Sequence, residues 1–314
     1  SAMPQFSNIL VVQPAGAGPE GALQCAVRVA AAHKSRLTVM SVIEEFPSRM
    51  LARDPSLVGL WNEALSSIGA ELDSIVSGLR DKGLDADAKV ATGAEFIEII
   101  REVLRGGHDL VVKNHEGRAR LKSLALPSSS DMHLLRKCPC PLWVVRPAHR
   151  GRFKRVLAAV DPDPFNEERD GLNIRIMELA VSVARTENAK LLIAHAWDLA
   201  PENLMRARGL VSDADLESYL NETHGAHRKR FKELISSFDL TGIEHEAHLL
   251  KGKAWKIIPE LEKDRKADLV VMGTVARTGL HGLIMGNTAE EILNTLSSSV
   301  LAVKPEGFVS PVVL

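Results

Sequence analysis

The residues of this chain that could bind a charged ligand are concentrated in one stretch, 270–293, which reads VVMGTVARTGLHGLIMGNTAEEIL. Gly273 ends an apolar run there, and Gly286 stands 13 positions later, directly before Asn287 and Thr288. A glycine that ends a strand lets the backbone approach a ligand, because it has no Cβ. Glycine, asparagine and threonine at a helix start leave free backbone N–H groups at the positive end of the helix dipole. The spacing therefore indicates a loop that could bind an anion such as a phosphate group.

A second interpretation of the same stretch needs no ligand. Thr288 and Glu291 have the spacing of a capping box, so a capped helix could simply follow a tight loop. A glycine loop without further context is a weak signal. Residue types and spacing leave both interpretations open.

Composition and charge narrow the classes of partner. The 314 residues carry a formal net charge of −1, and 45% of them are hydrophobic, which suits about two domains of ordinary size. Tyrosine occurs once and no basic run is interleaved with aromatics, so nucleic acid is not an expected partner. No apolar run reaches the ~20 residues that span a bilayer, and no signal peptide is recognisable. With three cysteines, a disulfide framework is not expected, and we predict a cytoplasmic protein without membrane contact.

The chain repeats itself. Asp109 in GHDLVVKN and Asp268 in KADLVVMG are 159 positions apart (268 − 109), and KVATGAEFIEII matches HLLKGKAWKIIP at the same separation. A period this long is that of a duplicated domain, since solenoid repeats are far shorter. The repeat predicts one domain at 3–148 and a second at 152–312, with RPAHRGRFKR as the linker.

Within each half, short β-branched runs alternate with longer helical patterns, which predicts an α/β fold. The strands predicted for the second half are RVLAAVD, AKLLIAHAW, IEHEAHLL, ADLVVMG and SVLAVKP. Most are continuous apolar runs, as in parallel strands covered on both faces, whereas IEHEAHLL alternates and should be more exposed. We therefore predict two tandem doubly wound domains, each with a five-stranded, mainly parallel sheet flanked by helices. Ligands of such sheets lie beyond the carboxyl ends of the strands, where Gly273 and Asp161 fall.

Over residues from about 6 to 312, the chain resembles tandem universal stress proteins, the bacterial E type with two fused domains. Nucleotide-binding members carry glycine, two residues, glycine, nine residues, then glycine with serine or threonine. This sequence keeps that spacing, but Ala276 replaces the second glycine and Asn287 takes the hydroxyl position, with Thr288 directly after it. The resemblance implies a Rossmann-like fold of the adenine nucleotide alpha hydrolase type, and ATP, accompanied by Mg²⁺, as the cofactor.

The resemblance also implies roles for nine residues. Those expected near the phosphates are Gly273, Ala276, Arg277, Gly286, Asn287 and Thr288, with Asp161 at the ribose or metal, and Ala196 and Met272 at the adenine. From the residues alone, Asp161 could equally be a turn residue before a proline, Met272 a core residue and Arg277 a solvated loop side chain. No catalytic constellation is recognisable, so any hydrolysis should be slow.

The first half lacks these residues. Aligned by the repeat, Asp161 corresponds to Gln13 and Gly273 to Asn114, while Pro127 falls on or next to the position of Gly286. Proline has no N–H and a fixed φ, so it cannot replace a glycine that binds an anion. We expect one nucleotide site per chain, in the second half.

Other possible ligands give weaker signals. CPCP places Cys138 and Cys140 two residues apart with His133 nearby, but a zinc site needs further ligands, and buried or edge cysteines near a proline turn are the favoured interpretation. His224 and His227 could share a helix face, although a surface position beside RKR is the prediction. His245 and His248 have an odd spacing on a predicted strand and should point to opposite faces, which argues against joint ligation.

Two functions from different classes fit the sequence. The first is a nucleotide-dependent switch, and the second is a nucleotide-free adaptor or scaffold that binds proteins or an apolar small ligand. In either case the final strands, PLWVV and VLAVKP, are expected to pair antiparallel within one chain and form an internal pseudo-dimer, with a further homodimer as an open alternative.

Overall fold

Strands and helices alternate in both halves of the chain, as the sequence pattern predicts. A computed structural model describes residues 6–16, 21–45, 50, 54, 56–115, 129–146, 149, 151–199, 212–275 and 285–314. The elements of the first half are β1 (Asn8–Val12), α1 (Ala22–His33), β2 (Arg36–Ile43), α2 (Ser56–Arg80), β3 (Ala86–Thr92), α3 (Glu95–Gly106), β4 (Leu110–Asn114), α4 (Ser129–Lys137) and β5 (Leu142–Val145).

The second half repeats this order. Its elements are β6 (Arg155–Val160), a 3₁₀ turn (Glu167–Arg169), α5 (Asp170–Glu187), β7 (Lys190–Trp197), α6 (Asp213–Ser236), β8 (His245–Lys251), α7 (Ala254–Arg265), β9 (Leu269–Gly273), α8 (Asn287–Thr295) and β10 (Ser299–Val303). Among the described residues, no helix combines the length and apolarity that crossing a bilayer requires.

All ten strands form one sheet, in the order β3-β2-β1-β4-β5-β10-β9-β6-β7-β8. Neighbouring strands within each half are parallel, which confirms the predicted fold class. At the centre, β5 and β10 pair antiparallel, with Leu301 opposite Trp143. The expected pairing of the two final strands is therefore present, and it reverses the strand direction between the halves. As a result, the carboxyl ends of the two sets of strands lie at opposite edges of the sheet.

Burial along the strands follows from their position in the sheet. β1 and β9 lie inside it and are almost wholly buried, as their apolar runs predict. β8 forms one outer edge, and each of its residues is exposed or half-buried, which confirms the more exposed strand predicted from IEHEAHLL. Polar residues on an edge strand also discourage pairing with other chains.

Hydrophobic clusters cover both faces of the sheet, and each cluster includes residues of both halves. Trp143 on β5 and Phe153 at the start of the second half are fully buried, and their rings lie 5.2 Å apart. Close to them, Arg28 Nε of α1 lies 2.9 Å from Glu187 Oε1 of α5, and the other oxygen of Glu187 accepts the Phe153 N–H. The two halves thus share core packing as well as a strand pair.

Candidate functional site

A cavity of about 540 Å³ opens at the carboxyl ends of the second-half strands. It brings together seven of the residues that the sequence singles out, namely Asp161, Ala196, Met272, Gly273, Gly286, Asn287 and Thr288. Ala276 and Arg277 lie outside the described residues. The described loop ends are held together by a bridge between Val275 and Met285 and by a hydrogen bond from the Gly286 N–H to the Thr274 carbonyl, 3.3 Å.

Helix α8 directs its amino end at this cavity. Its N-cap is Gly286 in an extended conformation, and no side chain caps the helix within the described residues. The predicted capping box is therefore wrong, because Thr288 already lies inside the first turn, where its side chain cannot serve as the N-cap. The first-turn N–H groups of Asn287 and Thr288 have no carbonyl partner in the helix itself, as in every helix start. They remain available to an anion in the cavity.

Gly273 is required by packing as well as by its place beside the cavity. A Cβ at this position would lie 2.7 Å from Cδ2 of Leu172 and 3.6 Å from Cδ1 of Ile176, both on α5. Leu172 and Ile176 also line the cavity. The glycine therefore lets α5 approach β9 closely, and this contact shapes the apolar wall.

Asp161 is positioned by Asn173, a residue that the sequence analysis did not single out. The side-chain carbonyl of Asn173 accepts the Asp161 N–H at 2.8 Å, and its amide donates to the Asp161 carbonyl at 3.0 Å. These two bonds fix the backbone just after β6, so that the carboxylate lines the cavity. The sequence signal that could have identified Asn173 was a polar side chain placed one turn before apolar residues on the buried face of α5.

A pair of histidines lies behind Asp161. His195 is fully buried on β7, with Nδ1 3.8 Å from Asp161 Oδ1 and Nε2 2.8 Å from His227 Nδ1 on α6. Burial lowers the pKa of His195 to about 4, so the ring is neutral near pH 7. The predicted surface position of His227 is wrong, because α6 packs this side of its helix against β7. His224, which the sequence placed on the same helix face as His227, is exposed and stacks on Trp197 with ring centroids 5.3 Å apart.

The charge of the cavity is negative in its described part. Asp161 and Glu168 contribute carboxylates, whereas no lysine or arginine is found among the lining residues that the structure describes. Much of the remaining wall is apolar, including Ile258, Met272 and Ile292. A polyanionic ligand would meet no lysine or arginine among these described lining residues.

The corresponding strand ends of the first half are filled by charged side chains. Lys113, which corresponds to Met272, is buried with its Nζ 3.3 Å from Glu95 Oε1 and 3.3 Å from Asp131 Oδ1. Asp131 Oδ2 lies 2.9 Å from His115 Nδ1. Burial acts to raise the pKa of Asp131, but the hydrogen bond from His115 and the charge of Lys113 outweigh it, and the pKa lies below its usual value.

Asn114 completes this arrangement in the first half. Its side-chain oxygen accepts the Ala22 N–H at 2.8 Å, at the start of α1. The same oxygen lies so close to Gly21 that a Cβ there would be only 2.4 Å from it. Where the second half has Gly273, against which Leu172 packs, the first half thus has the Asn114 side chain bonded to the start of α1. Pro127, the counterpart of the Gly286 region, falls outside the described residues.

The two cysteines of CPCP are buried, as the favoured interpretation predicts. Their sulfur atoms lie 3.7 Å apart, and His133 stacks on Phe96 with ring centroids 4.3 Å apart. In the described part of the chain, no group of three or more His, Cys, Asp or Glu residues is arranged to hold a metal ion.

Comparison with known proteins agrees with this architecture. The model of the universal stress protein family matches residues 5–146 and again 152–304. Universal stress protein E of Escherichia coli K12 is 28% identical over 316 residues, which cover 99% of this chain and 98% of that protein. The universal stress protein E homolog of Haemophilus influenzae is 34% identical over 208 residues, covering 66% of this chain and 65% of its own.

Solved structures give the same result. The crystal structure of a functionally unknown protein from Pseudomonas aeruginosa PAO1 is 27% identical and covers 96% of this chain and 93% of its own, with a TM-score of 0.72. The resemblance predicted from the sequence is confirmed by the two family matches, which together cover nearly the whole chain. This chain belongs to the universal stress protein family and carries two family domains in tandem.

Proposed function

We propose that the second half binds an adenine nucleotide, ATP accompanied by Mg²⁺, and that the bound nucleotide acts as a conformational switch. The observation that carries this proposal is the single cavity that gathers the amino end of α8, the carboxylate of Asp161 and the apolar strand ends. Its volume, about 540 Å³, lies within the ~300–1,000 Å³ of typical small-molecule sites.

Each part of the nucleotide has a suitable partner in this arrangement. The phosphates would bind at Asn287 and Thr288, where first-turn N–H groups and the helix dipole favour negative charge. The adenine would lie against Ala196 and Met272, which supply an apolar surface at the ends of β7 and β9. The ribose would then lie between these ends, beside Asp161.

Magnesium fits the same wall because its preferred ligands are oxygen atoms. Asp161 and Glu168 place two carboxylates on the cavity, and they would hold Mg²⁺ together with the phosphate oxygens. The ion supplies the positive charge that the described lining lacks. Hydrolysis should be slow at most, since His195, the imidazole that lies beside Asp161 among the described residues, is buried and hydrogen-bonded to His227.

The test is a calorimetric titration of ATP, with and without Mg²⁺, against wild type and Asn287→Asp. The substitution keeps the size of the side chain and is favourable to a helix start, but its negative charge opposes a phosphate. Asn294→Asp is the matched control, since it adds the same charge near the other end of α8. We expect micromolar binding to wild type and to Asn294→Asp, and its loss in Asn287→Asp.

Two results would contradict the proposal. One is no detectable heat at millimolar Mg²⁺–ATP from protein that circular dichroism shows to be folded. The other is equal affinity in wild type and Asn287→Asp.

A second function has one observation in its favour, the apolar and cation-free lining of the described cavity. On that basis the protein would be a nucleotide-free scaffold that binds an apolar small ligand. An uncharged apolar fluorophore that binds wild type and is not displaced by Mg²⁺–ATP would support the scaffold. Displacement at micromolar nucleotide would instead place both ligands in one cavity.

A further inference from the structure

The pair formed by Cys138 and Cys140 lies where the two halves of the chain meet. Cys138 follows the last residue of α4, and Cys140 precedes β5, with Pro139 between them. Their sulfur atoms are 3.7 Å apart and in hydrogen-bond contact. The fixed φ of Pro139 and Pro141 restricts the turn that carries them, so the two sulfur atoms are held facing each other. A disulfide needs the sulfur atoms to approach to about 2.05 Å, which is a small movement from this position.

A buried ammonium group from the second half lies beside this pair. Lys304, directly after β10, donates from Nζ to the Leu135 carbonyl at 2.6 Å and to the hydroxyl of Thr274. Its charge attracts a Cys138 thiolate. The carboxyl end of α4 would disfavour a thiolate there, but Lys304 binds one of the carbonyls that create this effect.

The two thiols are chemically unequal. The pKa of Cys138 is lowered, first by the hydrogen bond from the Cys140 thiol, and further by the Cys140 backbone N–H and the charge of Lys304, which together outweigh burial. Conversely, the pKa of Cys140 is raised by its contact with Cys138 and by burial. Burial lowers the pKa of Lys304 to about 8, so the group is still mostly protonated at pH 7. Cys138 is therefore the thiol that ionises, and Cys140 is the partner poised next to it.

Cys25 provides an internal contrast. It is also fully buried, on α1, and burial raises its pKa well above that of an exposed thiol. Among the described residues, no other cysteine sulfur atom is in contact with that of Cys25. A buried cysteine of this kind is expected to be inert. Cys140, by comparison, is 9% exposed and has the Cys138 sulfur atom in contact.

We propose that Cys138 and Cys140 are a redox modification site, a dithiol that hydrogen peroxide converts to an intramolecular disulfide. The Cys138 thiolate attacks one peroxide oxygen, the O–O bond breaks, and hydroxide leaves and takes up a proton to form water. The sulfur of Cys140 then attacks the sulfenic acid of Cys138, the S–O bond breaks, and hydroxide leaves with the Cys140 proton as a second water. Two thiols are oxidised by two electrons in total, and one peroxide is reduced to two waters.

Peptide mapping of the full chain tests this directly. Trypsin cleaves after Lys137 but not between Arg146 and Pro147, so both cysteines fall in one peptide, CPCPLWVVRPAHR. After treatment with peroxide, blocking of free thiols and digestion, we expect this peptide to be lighter by two hydrogen atoms and unblocked. The Cys25 peptide should remain fully blocked, and a reductant should reverse the change. A Cys138–Cys140 peptide that stays blocked to the same extent as Cys25, or that gains oxygen atoms without forming the disulfide, would overturn the proposal.

Variants separate the roles of the individual groups. In Cys140→Ser, Cys138 should accumulate as a sulfenic acid that dimedone traps, whereas Cys138→Ser should give little trapping at Cys140. Lys304→Met should slow disulfide formation, since it removes a positive charge that lowers the pKa of Cys138 and so favours its thiolate. Lys137→Met is the matched control, because that ammonium lies over the Phe96 ring instead, 4.8 Å from its centroid. Equal rates in the two lysine variants would remove Lys304 from the mechanism, and dimedone trapping mainly at Cys140 would reverse the assignment of the two thiols.

Discussion

The carboxyl ends of the strands surround an open cavity in the second half of the chain and a filled, charged cluster in the first half. These two regions are called the two ends of the sheet. In the second half, Ala254, Met272 and Ala289 line an open cavity. In the first half, the corresponding positions at the start of α3, near the end of β4 and in the first turn of α4 are Glu95, Lys113 and Asp131, whose charges meet in one cluster.

This difference shows that one backbone arrangement can supply either a ligand cavity or a sealed polar core. Lys113 reaches across the space between two helices and neutralises a carboxylate from each. Small or unbranched residues at the same positions of the second half leave room for a ligand. Side chains, Glu95, Lys113 and Asp131 among them, rather than a different fold therefore separate the two ends, and these can be altered to test the comparison.

The largest loss of stability is expected from removing the buried ammonium group of Lys113 in the first half. Lys113→Met leaves Glu95 and the fully buried Asp131 without their shared counter-charge, and breaking a buried pair costs roughly 3–5 kcal/mol of unfolding free energy. Urea denaturation measures this loss. The control is Lys89→Met, in which an exposed lysine is removed from its pair with Glu102, 3.2 Å, at a smaller cost because water solvates this ammonium group. A similar loss in both variants would show that the cluster does not hold the first half together.

A smaller loss of stability is expected from adding a side chain at Gly273 in the second half. In Gly273→Ala the new methyl group would meet Leu172 Cδ2 at 2.7 Å, and overpacking of this kind costs about 1–3 kcal/mol. Adding Leu172→Ala should relieve the clash, so the double variant should lose less than the two single losses combined. Gly171→Ala is the control, because a Cβ there meets no described atom within 4 Å. Strict additivity in urea denaturation would mean that α5 and β9 are not in the contact described.

The smallest change in stability is expected from lowering the pH. The pKa of Asp131 lies below its usual value of 3.8 in the folded state, so its contribution to stability is complete above that value and is lost as the pH falls through the folded pKa. We expect the stability difference between wild type and Asp131→Asn to be constant near neutral pH and to shrink below about pH 4. The effect is small because a protonated Asp131 can still hydrogen-bond to its neighbours. A difference that stays constant down to pH 2 would mean that folding does not lower the pKa of Asp131.

The sequence predicted the strands well because their apolar runs are local signals. RVLAAVD, AKLLIAHAW and ADLVVMG each correspond to a strand within two residues at either end, and the greater exposure of IEHEAHLL was predicted from its alternation. The positions of Gly286 and Asn287 at a helix start were also readable, since they are adjacent in sequence. The capping residue itself was misassigned by two positions, which is the usual uncertainty of helix ends.

Contacts between distant elements could not be predicted in this way. His227 was expected at the surface because basic residues follow it, yet its side of helix α6 faces His195 on strand β7. Lys113 was not singled out, because a lysine at the end of an apolar run looks like a solvated strand end until Glu95 and Asp131 are placed beside it. Similarly, the packing of Leu172 against Gly273 joins residues that are about a hundred positions apart. Periodicity assigns faces, but it does not say which faces meet.

The antiparallel pairing of β5 with β10 has a consequence for how the two ends can change. In a symmetric dimer of separate chains, every substitution appears twice, so a lysine that sealed one cavity would seal both. Here one chain supplies both strands of the pair, and a mutation alters a single copy. Covalent duplication thus frees each end to diverge, so that Lys113 can serve as an internal brace at one end of the sheet while Met272 keeps the other end open.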